Sequence, residues 1–458
     1  MRSPNVGITR SDSTDPAKSR RRLRNAVVVG TALEWFDFFL FASMAALVFG
    51  QVFFPAFDSA TATLASIATF GVGFFARPIG GIVFGALSDR FGRKPILLLS
   101  FILMGTASGL IGLLPSYEMI GIAAPVLLVL LRLIQGLGAG AEFSPAIAIS
   151  YENANPAKRG SQGSWPALGS NLGLFLASIV VAILMTASGE FLIQQGGWRI
   201  PFIASFALVA VGLVMRTRMP EAPDFKASRK ATASVQSPLN SLVRMNWRPL
   251  LLTLVVFFGS TAASYLFKTF SLAYLSTYRD VDASVGATGV AIATGIAILV
   301  VPIAGRMCDK FGPHRVLAAG GALIGLLAFP FFWMLDTNRA VVIWVALIVA
   351  TGVAMPTMVA AQGAFFAGLF PAVVRGSGVG TGREIGGAIA GGLAPVTALA
   401  LVQASPSNST FGVSVIFLAA AVCVVGGVLY SVRLANPPST ADTATPASTR
   451  PLPDQANI

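Results

Sequence analysis

Eight ionisable side chains interrupt long apolar stretches of the 458-residue chain, and they divide evenly into acids and bases: Glu34, Asp37, Glu142 and Glu384, and Arg77, Arg132, Lys268 and Arg383. An ionisable side chain inside a hydrocarbon layer is costly and marks an ion or substrate pathway. A desolvated carboxylate can bind and release a proton as its surroundings change, and a guanidinium binds a carboxylate through two parallel hydrogen bonds. The set therefore predicts proton and organic-anion chemistry, with buried structural ion pairs as the alternative.

The proton-coupling candidates are Asp37, Glu34, Arg132 and Glu142. Glu34 and Asp37 are three residues apart, so they share a helix face. Asp37 lies near the middle of its apolar stretch, and we take it as the proton site. Arg132 and Glu142 are separated by about 15 Å if both lie on one helix. Each of these two therefore needs a partner on another helix.

The substrate-binding candidates are Arg77, Lys268, Arg383, Glu384 and Gln135. The three basic residues supply the positive charge that an organic acid requires in a cavity of low dielectric constant. Lys268 stands among aromatic residues that are suited to line such a cavity. Successive residues of a helix point about 100° apart, so we expect Arg383 and Glu384 not to pair.

Few residues remain for any other chemistry. His314 is the only histidine, and Cys308 and Cys423 are the only cysteines. A metal cluster, a Ser-His-Asp triad and a disulfide framework all lack parts, and no phosphate-binding glycine loop is present. We expect no metal, no cofactor and no enzymatic activity.

The elements that carry these residues are predicted from hydropathy. The chain is 55% hydrophobic and 11% charged, against about 25% charged residues in soluble domains. A membrane helix needs about 20 mainly apolar residues, and twelve segments qualify: 25–49, 62–87, 95–115, 121–150, 161–187, 199–216, 248–276, 283–304, 316–335, 341–369, 377–403 and 411–434. The sequence predicts an all-α membrane protein with twelve transmembrane helices.

A polar connection at 217–247 divides these helices into two six-helix halves, 25–216 and 248–434. The basic tail 1–24 and the tail 435–458 are predicted to be disordered and cytoplasmic. Of the 32 lysines and arginines, 25 fall in the tails and in the loops on the side of the tails, which we call the basic side, and 3 fall on the other side. This asymmetry places both termini in the cytoplasm. It also excludes nucleic acid as a partner, because the charge faces anionic lipid.

The two halves contain a repeated loop motif. Residues 85–97 read GALSDRFGRKPIL and residues 305–317 read GRMCDKFGPHRVL, each after the second helix of its half. A second, shorter repeat follows the fourth helix of each half. It reads Pro156-Ala-Lys-Arg-Gly in the first half and Pro371-Ala-Val-Val-Arg-Gly in the second. Parallel halves of six helices are a known transporter plan, with the binding site between them.

The loop motif resembles the signature of the major facilitator superfamily, which Gly85, Asp89, Arg90, Gly92, Arg93 and Lys94 fit. Stretches such as Glu34-Trp-Phe-Asp37-Phe-Phe and Ala76-Arg77-Pro-Ile-Gly-Gly are similar to the metabolite:proton symporter family. The resemblance implies that Asp89 faces the start of the eleventh helix near residues 376–380 and closes the cytoplasmic side. Asp309 is its counterpart in the second half. Arg383-Glu384 departs from the family pattern.

The resemblance predicts a monomeric, proton-coupled symporter that imports a small organic acid across a bacterial plasma membrane. Its partners are then the organic anion, the proton and the lipid bilayer. A carrier of zwitterionic osmolytes, such as betaine or proline, is the main alternative. A drug efflux carrier, a channel and a membrane enzyme fit less well, because the buried charges are balanced, the halves repeat, and no catalytic constellation is present.

Overall fold

The computed structural model of the chain describes residues 16–435 except 92, 141–146, 148–149, 153, 188–189, 218–245, 372–373 and 406. The tail 435–458 and the central connection fall largely outside these residues, as does Glu142. The predicted disorder of the tail 1–24 is wrong for residues 16–24, because they form the first turns of a helix that continues into the first apolar segment. Within helices, several side chains also lie outside the description, among them those of Asp89, Arg90, Arg93 and Lys94.

Twelve long helices account for most of the described residues, and each overlaps one predicted segment. They are α1 (Pro16–Leu47), α2 (Ser59–Phe91), α3 (Arg93–Gly112), α4 (Ala123–Ala139), α5 (Trp165–Met185), α6 (Arg199–Thr217), α7 (Trp247–Tyr278), α8 (Ala283–Phe311), α9 (Pro313–Leu327), α10 (Ala340–Gly368), α11 (Arg375–Ala404) and α12 (Phe411–Ala435). Short helical turns occur at Phe49–Phe53, Tyr117–Ile120, Pro156–Lys158, Arg159–Gly163, Glu190–Gln194 and Pro330–Leu335.

Eight of these helices are long and apolar enough to cross a membrane: α1, α2, α5, α7, α8, α10, α11 and α12. The other four contain shorter apolar helices, at Leu98–Gly112, Ala123–Ala139, Arg199–Ala210 and Pro313–Leu327. Helices satisfy every internal backbone group within one segment, so they are the expected architecture for apolar chain in lipid.

Side-chain caps fix the start of two helices. Asp282 accepts a hydrogen bond from the amide of Ser284 at 2.8 Å, where α8 begins. Asp58 accepts from the amides of Ala60 and Thr61 at 3.1 and 3.2 Å, before α2. The bond from Ser284 lowers the pKa of Asp282, and the bonds from Thr61 and then Ala60 lower the pKa of Asp58. Both carboxylates thus satisfy amides that the first helical turn leaves free.

Helix packing repeats between the halves. α1 packs on α5, α2 on α4, and α3 on both α4 and α6; α7 packs on α11, α8 on α10, and α9 on both α10 and α12. Adding six to each helix number converts the first set into the second. The internal repeat seen in the loops therefore extends to the packing of the two halves.

The most extensive contacts between the halves are those of α2 with α11 and of α5 with α8. At one crossing, a Cβ atom on Gly71 would lie 2.6 Å from the carbonyl oxygen of Gly392. Glycine is required here because the two backbones approach directly. These contacts hold the inner faces of the halves together around the site described next.

Candidate functional site

A cavity of about 90 Å³ lies between the two halves. Helices α1, α2, α5, α7, α10 and α11 all contribute to its wall. Its polar and aromatic lining includes Trp35, Phe39, Phe74, Arg77, Ser170, Asn171, Phe257, Ser260, Thr261, Ser264, Tyr265, Lys268, Gln362, Arg383 and Glu384. Four of the five predicted substrate-binding residues therefore lie together at one cavity.

A network of four buried charged residues crosses the wall of the cavity. Arg77 donates from Nε to Glu384 Oε2 at 2.9 Å and from Nη2 to Glu384 Oε1 at 3.4 Å. Arg77 Nη2 also lies 3.6 Å from Glu34 Oε1. Arg383 Nη1 donates to Glu384 Oε1 at 2.9 Å. Glu384 thus bridges two guanidinium groups, and the network links α1, α2 and α11.

The expectation that Arg383 and Glu384 do not pair is wrong. Their Cα–Cβ bonds diverge around α11, but a guanidinium at the end of a long side chain reaches back to the neighbouring carboxylate. Glu384 consequently belongs to the ion-pair network. Arg77 and Arg383 are therefore both ion-paired with a carboxylate of the protein.

Lys268 differs from these arginines. Its ammonium group donates to Ser264 Oγ at 3.1 Å and lies 4.9 Å from the centroid of the Phe39 ring. No carboxylate of the described residues lies within ion-pairing distance of it. Lys268 lies in a π-helical turn of α7, Leu266–Phe270, and such turns are frequent at functional sites.

Tyr265 presents a second polar group that the sequence did not single out as a binding residue. Its hydroxyl is buried and has no hydrogen-bond partner among the described residues. Its ring packs against Phe74 and Phe70, with centroids 5.1 and 5.3 Å away. Because buried hydroxyls are usually hydrogen-bonded, the Tyr265 hydroxyl is a candidate for contact with a bound molecule.

Asp37 and Arg132 lie in a separate cluster inside the first half. Ser205 of α6 donates to Asp37 Oδ1 at 2.6 Å, and Arg132 and Ser108 lie near the same carboxylate. Arg132 donates to Gln135 Oε1 and to the carbonyl oxygen of Phe70, and Gln135 donates to Ser108 Oγ at 2.6 Å. This polar cluster joins five helices: α1, α2, α3, α4 and α6.

Neither Asp37 nor Gln135 lines the cavity. Asp37 is 5% exposed and Gln135 is fully buried. The wall formed by α1 consists instead of Trp35 and Phe39, four residues apart on the cavity face of the helix. Asp37, which the sequence analysis takes as the proton site, therefore lies behind the cavity wall.

On the basic side, Asp309 at the end of α8 contacts the first half. Its Oδ1 accepts from the amides of Gly160 and Ser161 at 2.7 and 3.2 Å. These amides open the turn Arg159–Gly163 before α5, where free N–H groups favour an anion. Arg375 adds an ion pair to Glu152 at 3.0 Å. The side chains of Asp89, Arg90, Arg93 and Lys94 lie outside the described part of the structure, as do the surroundings of Gly85 and the residue Gly92 itself.

Hydroxyl contacts join the halves at the opposite end. Thr63 of α2 lies 3.2 Å from Thr277 of α7, oxygen to oxygen. Gln403 of α11 donates to Thr61 Oγ1 of α2 at 3.2 Å. Contacts between the halves therefore occur on both sides of the cavity.

The family profile of the Major Facilitator Superfamily matches residues 27–395. The chain belongs to this superfamily. It is a multi-pass membrane transporter and not an enzyme, as the sequence predicted.

Curated relatives align with this transporter over most of the length of both chains. It is 35% identical over 388 residues to the inner membrane metabolite transport protein YhjE of Escherichia coli, with 84% of this chain and 88% of the relative aligned. It is 34% identical to the shikimate transporter of the same organism, over 87% and 92% of the two chains. It is 32% identical to the E. coli proline/betaine transporter, over 92% and 85%.

A solved structure of the proton:xylose symporter XylE shares the fold of this transporter. The TM-score is 0.70 over 92% of this chain and 96% of the other, at 15% sequence identity. The major facilitator fold predicted from the sequence is confirmed.

Proposed function

We propose that this transporter is a proton-coupled symporter that imports a small organic acid. The observation that carries the substrate class is Lys268, a buried cation at the cavity whose nearest polar partner is a neutral hydroxyl. With all groups ionised, Arg77, Arg383 and Lys268 face Glu34 and Glu384, which leaves one positive charge at the site. An anion balances that charge, since an unpaired charge is costly in a medium of low dielectric constant.

The Tyr265 hydroxyl supports the same substrate class. It lies three residues before Lys268 in the chain, lines the cavity and has no hydrogen-bond partner among the described residues. A carboxylate at this position accepts from both groups. The hydroxyls of Ser260, Thr261 and Ser264 then offer hydrogen bonds to the remainder of the molecule.

Proton coupling is assigned to Asp37. The carboxylate is removed from water, has Ser205 as a hydrogen-bond donor and has Arg132 as the neighbouring cation. Movement of one half against the other changes hydration and the distance to such a cation, and both alter proton affinity. Glu34, Arg132 and Glu142 remain in the proton-coupling group as proposals.

The topology completes the proposal. All twelve helices cross the plasma membrane, with halves at 25–216 and 248–434 and both termini in the cytoplasm. The excess of basic residues on the basic side supports this orientation. We place the protein as a monomer in a bacterial inner membrane, in line with the named location of its relative YhjE.

A test uses purified protein in liposomes and a panel of labelled compounds. The panel contains monocarboxylates, dicarboxylates, tricarboxylates and betaine, each assayed with and without an imposed pH gradient. We expect accumulation of a carboxylate that requires the inward proton gradient. Accumulation that is indifferent to pH would contradict proton coupling, and exclusive transport of betaine would contradict the anion.

Lys268→Met should raise the Michaelis constant for the anionic substrate by about 10- to 100-fold, because a charge-assisted hydrogen bond contributes about 1.5–3 kcal/mol. Initial uptake rates over a range of substrate concentrations give the constant. Ser264→Ala is the matched control, because it removes the neutral partner and keeps the cation. An unchanged constant in Lys268→Met would contradict an anion at this position.

The Asp309 contact is proposed as a gate on the cytoplasmic side, with Asp89 and its surrounding motif as the equivalent contact at α11. Asp309→Ala should lower the initial uptake rate by about tenfold at wild-type insertion, because the state closed to the cytoplasm loses stability. Gly160→Ala is a matched variant without a charge change, since its Cβ would lie 2.6 Å from Cys308 Cβ.

Cys308 reports the gate directly. It is 3% exposed and precedes Asp309, and Cys423→Ser leaves it as the single cysteine of the chain. Opening of the contact should speed its labelling by a maleimide in both variants. Slow labelling at the wild-type rate, together with normal transport, would show that Asp309 does not gate.

The cavity also favours a second candidate, a zwitterionic osmolyte carrier. Its wall contains Trp35, Phe39, Phe74 and Tyr265, and aromatic faces bind quaternary ammonium groups. The Lys268 ammonium already occupies the Phe39 face at 4.9 Å. Under this reading, Lys268→Met should leave betaine uptake unchanged or increase it, which separates the two functions.

A further inference from the structure

One aromatic ring joins the cavity network to the Asp37 cluster. The guanidinium carbon of Arg77 lies 5.1 Å from the centroid of the Phe38 ring, and that of Arg132 lies 4.9 Å from the same centroid. Arg77 belongs to the ion pairs at the cavity, and Arg132 belongs to the cluster around Asp37. Phe38 directly follows Asp37 in α1 and is 1% exposed.

We propose that Phe38 transmits the protonation state of Asp37 to the substrate cavity through the two guanidinium groups that share its ring. This inference rests on the proposed proton symport. Phe38 is a positioning residue, because it is not among the residues that line the cavity and its side chain carries no titratable group.

The charged and titratable groups around the ring define the two sides of this linkage. Arg132 has Asp37 as the acid within electrostatic reach, with Arg77 and Tyr265 as its other ionisable neighbours. Arg77 has Glu384, Glu34 and Tyr265. Protonation of Asp37 therefore changes the surroundings of Arg132 first. Glu384 and Glu34 are not among the ionisable neighbours of Arg132.

Both arginines depend on the same ring electrons. The negative face of an aromatic ring attracts a cation, and the attraction strengthens when the cation is removed from water. When Asp37 is neutralised, Arg132 loses a nearby opposite charge, and the ring becomes a larger part of its remaining stabilisation. A closer approach of Arg132 to Phe38 weakens the attraction between the ring and Arg77. The Arg77 charge is then stabilised more by its ion pairs with Glu384 and Glu34.

The packing around Phe38 makes a local shift consequential. The Phe70 and Phe74 rings lie 5.8 and 5.1 Å from it, both in edge-on contact. Phe74 also lies 5.1 Å from Tyr265 and 5.9 Å from the Arg77 guanidinium. A displaced Phe38 ring therefore reaches the cavity wall through Phe74 as well as through Arg77, because tightly packed cores transmit displacement.

Two neighbouring phenylalanines provide matched controls. Phe41 lies under Arg132 at 3.9 Å, and Phe74 lies near Arg77 at 5.9 Å. Within the described part of the chain, each of these rings contacts one of the two guanidinium groups. Phe38→Leu, Phe41→Leu and Phe74→Leu remove a ring of the same size, but only the first removes the shared one.

The experiment compares three quantities in liposomes: counterflow of labelled for unlabelled substrate, accumulation driven by a pH gradient, and protons taken up per substrate molecule. In Phe38→Leu we expect counterflow within about threefold of wild type, while accumulation falls about tenfold, the size of a typical coupling effect. The proton-to-substrate ratio should fall with accumulation. Phe41→Leu should keep the wild-type ratio. Phe74→Leu should lower the ratio less than Phe38→Leu, because it removes the packing contact with the cavity wall and keeps the ring that both guanidinium groups share.

A second variant distinguishes a loss of coupling from misfolding. Trifluorophenylalanine at position 38 keeps the size of the ring and weakens its negative face, and it should reproduce the loss of coupling at normal expression. Wild-type coupling in this variant would overturn the proposal, as would equal losses of counterflow and accumulation in Phe38→Leu. Failure of the wild-type protein to use a pH gradient would overturn the proposed symport and this linkage together. Coupling that persists in both Phe38 variants overturns the linkage alone.

Discussion

Asp37→Asn is expected to abolish accumulation of substrate driven by a pH gradient while counterflow continues. The amide imitates the protonated carboxyl group and cannot release a proton, so the variant cycles as a permanently loaded carrier. Counterflow exchanges one substrate molecule for another and needs no net proton movement. One pH unit supplies about 1.4 kcal/mol, and for one proton per substrate this supports an accumulation ratio of about ten, which should fall to about one.

The contacts of Asp37 explain why the protein should tolerate the substitution Asp37→Asn. Ser205 donates to Asp37 Oδ1 at 2.6 Å, and an asparagine carbonyl oxygen can accept the same bond. Arg132 keeps Gln135 and the Phe70 carbonyl oxygen as acceptors. The variant should therefore insert and bind substrate.

Glu34→Gln is the control for Asp37→Asn. It removes a carboxylate three residues away on α1, one that lies 3.6 Å from Arg77 at the cavity network. We expect a milder loss of accumulation and an altered substrate affinity. A symport cycle that survives in Asp37→Asn, with substrate concentrated against its gradient, would place proton coupling at another residue.

Much of the fold could be predicted from the sequence. Each of the twelve apolar segments overlaps a helix, because a helix in lipid must be long, apolar and internally hydrogen-bonded. The loop repeat predicted equivalent halves, and the packing of α1 on α5 matches that of α7 on α11. The contact of Asp309 with the amides before α5 joins the two repeated motifs that the sequence singled out.

Side-chain partnerships were less predictable. The sequence identified Arg77, Arg383 and Glu384 as a charged set, but it could not show that Glu384 bridges both arginines, since this depends on the rotation of α11 against α2. Gln135 was assigned to substrate, although its amide lies between Arg132 and Ser108. The role inferred for Phe38 had no signal in the sequence, because phenylalanine is common in apolar helices.

Glu384→Gln is expected to have the largest effect on folding among variants of the cavity. Its carboxylate accepts from Arg77 at 2.9 Å and from Arg383 at 2.9 Å, and all three side chains are buried. Breaking a buried ion pair by removing one partner costs about 3–5 kcal/mol, because an uncompensated charge remains. The variant should show a thermal midpoint lowered by several degrees in detergent, together with a loss of counterflow.

A second substitution should restore stability, and the choice of arginine matters. Arg77 lies 3.6 Å from Glu34 and 2.9 Å from Glu384, so Arg77→Gln also removes the cation beside Glu34, whereas Arg383→Gln removes the cation that lies 2.9 Å from Glu384. Arg383→Gln added to Glu384→Gln should therefore recover more of the thermal midpoint than Arg77→Gln added to Glu384→Gln. Thermal unfolding of the purified single and double variants, followed by size-exclusion chromatography, measures both differences.

Transport by the restored double variant separates structure from binding. If Arg383 serves mainly to neutralise Glu384, then Glu384→Gln with Arg383→Gln should transport substrate, because Lys268 and Tyr265 remain at the cavity. A stable double variant without counterflow would instead assign substrate contact to the Arg383–Glu384 pair. A Glu384→Gln single variant with the thermal midpoint of the wild type would contradict the bridging role of Glu384 altogether.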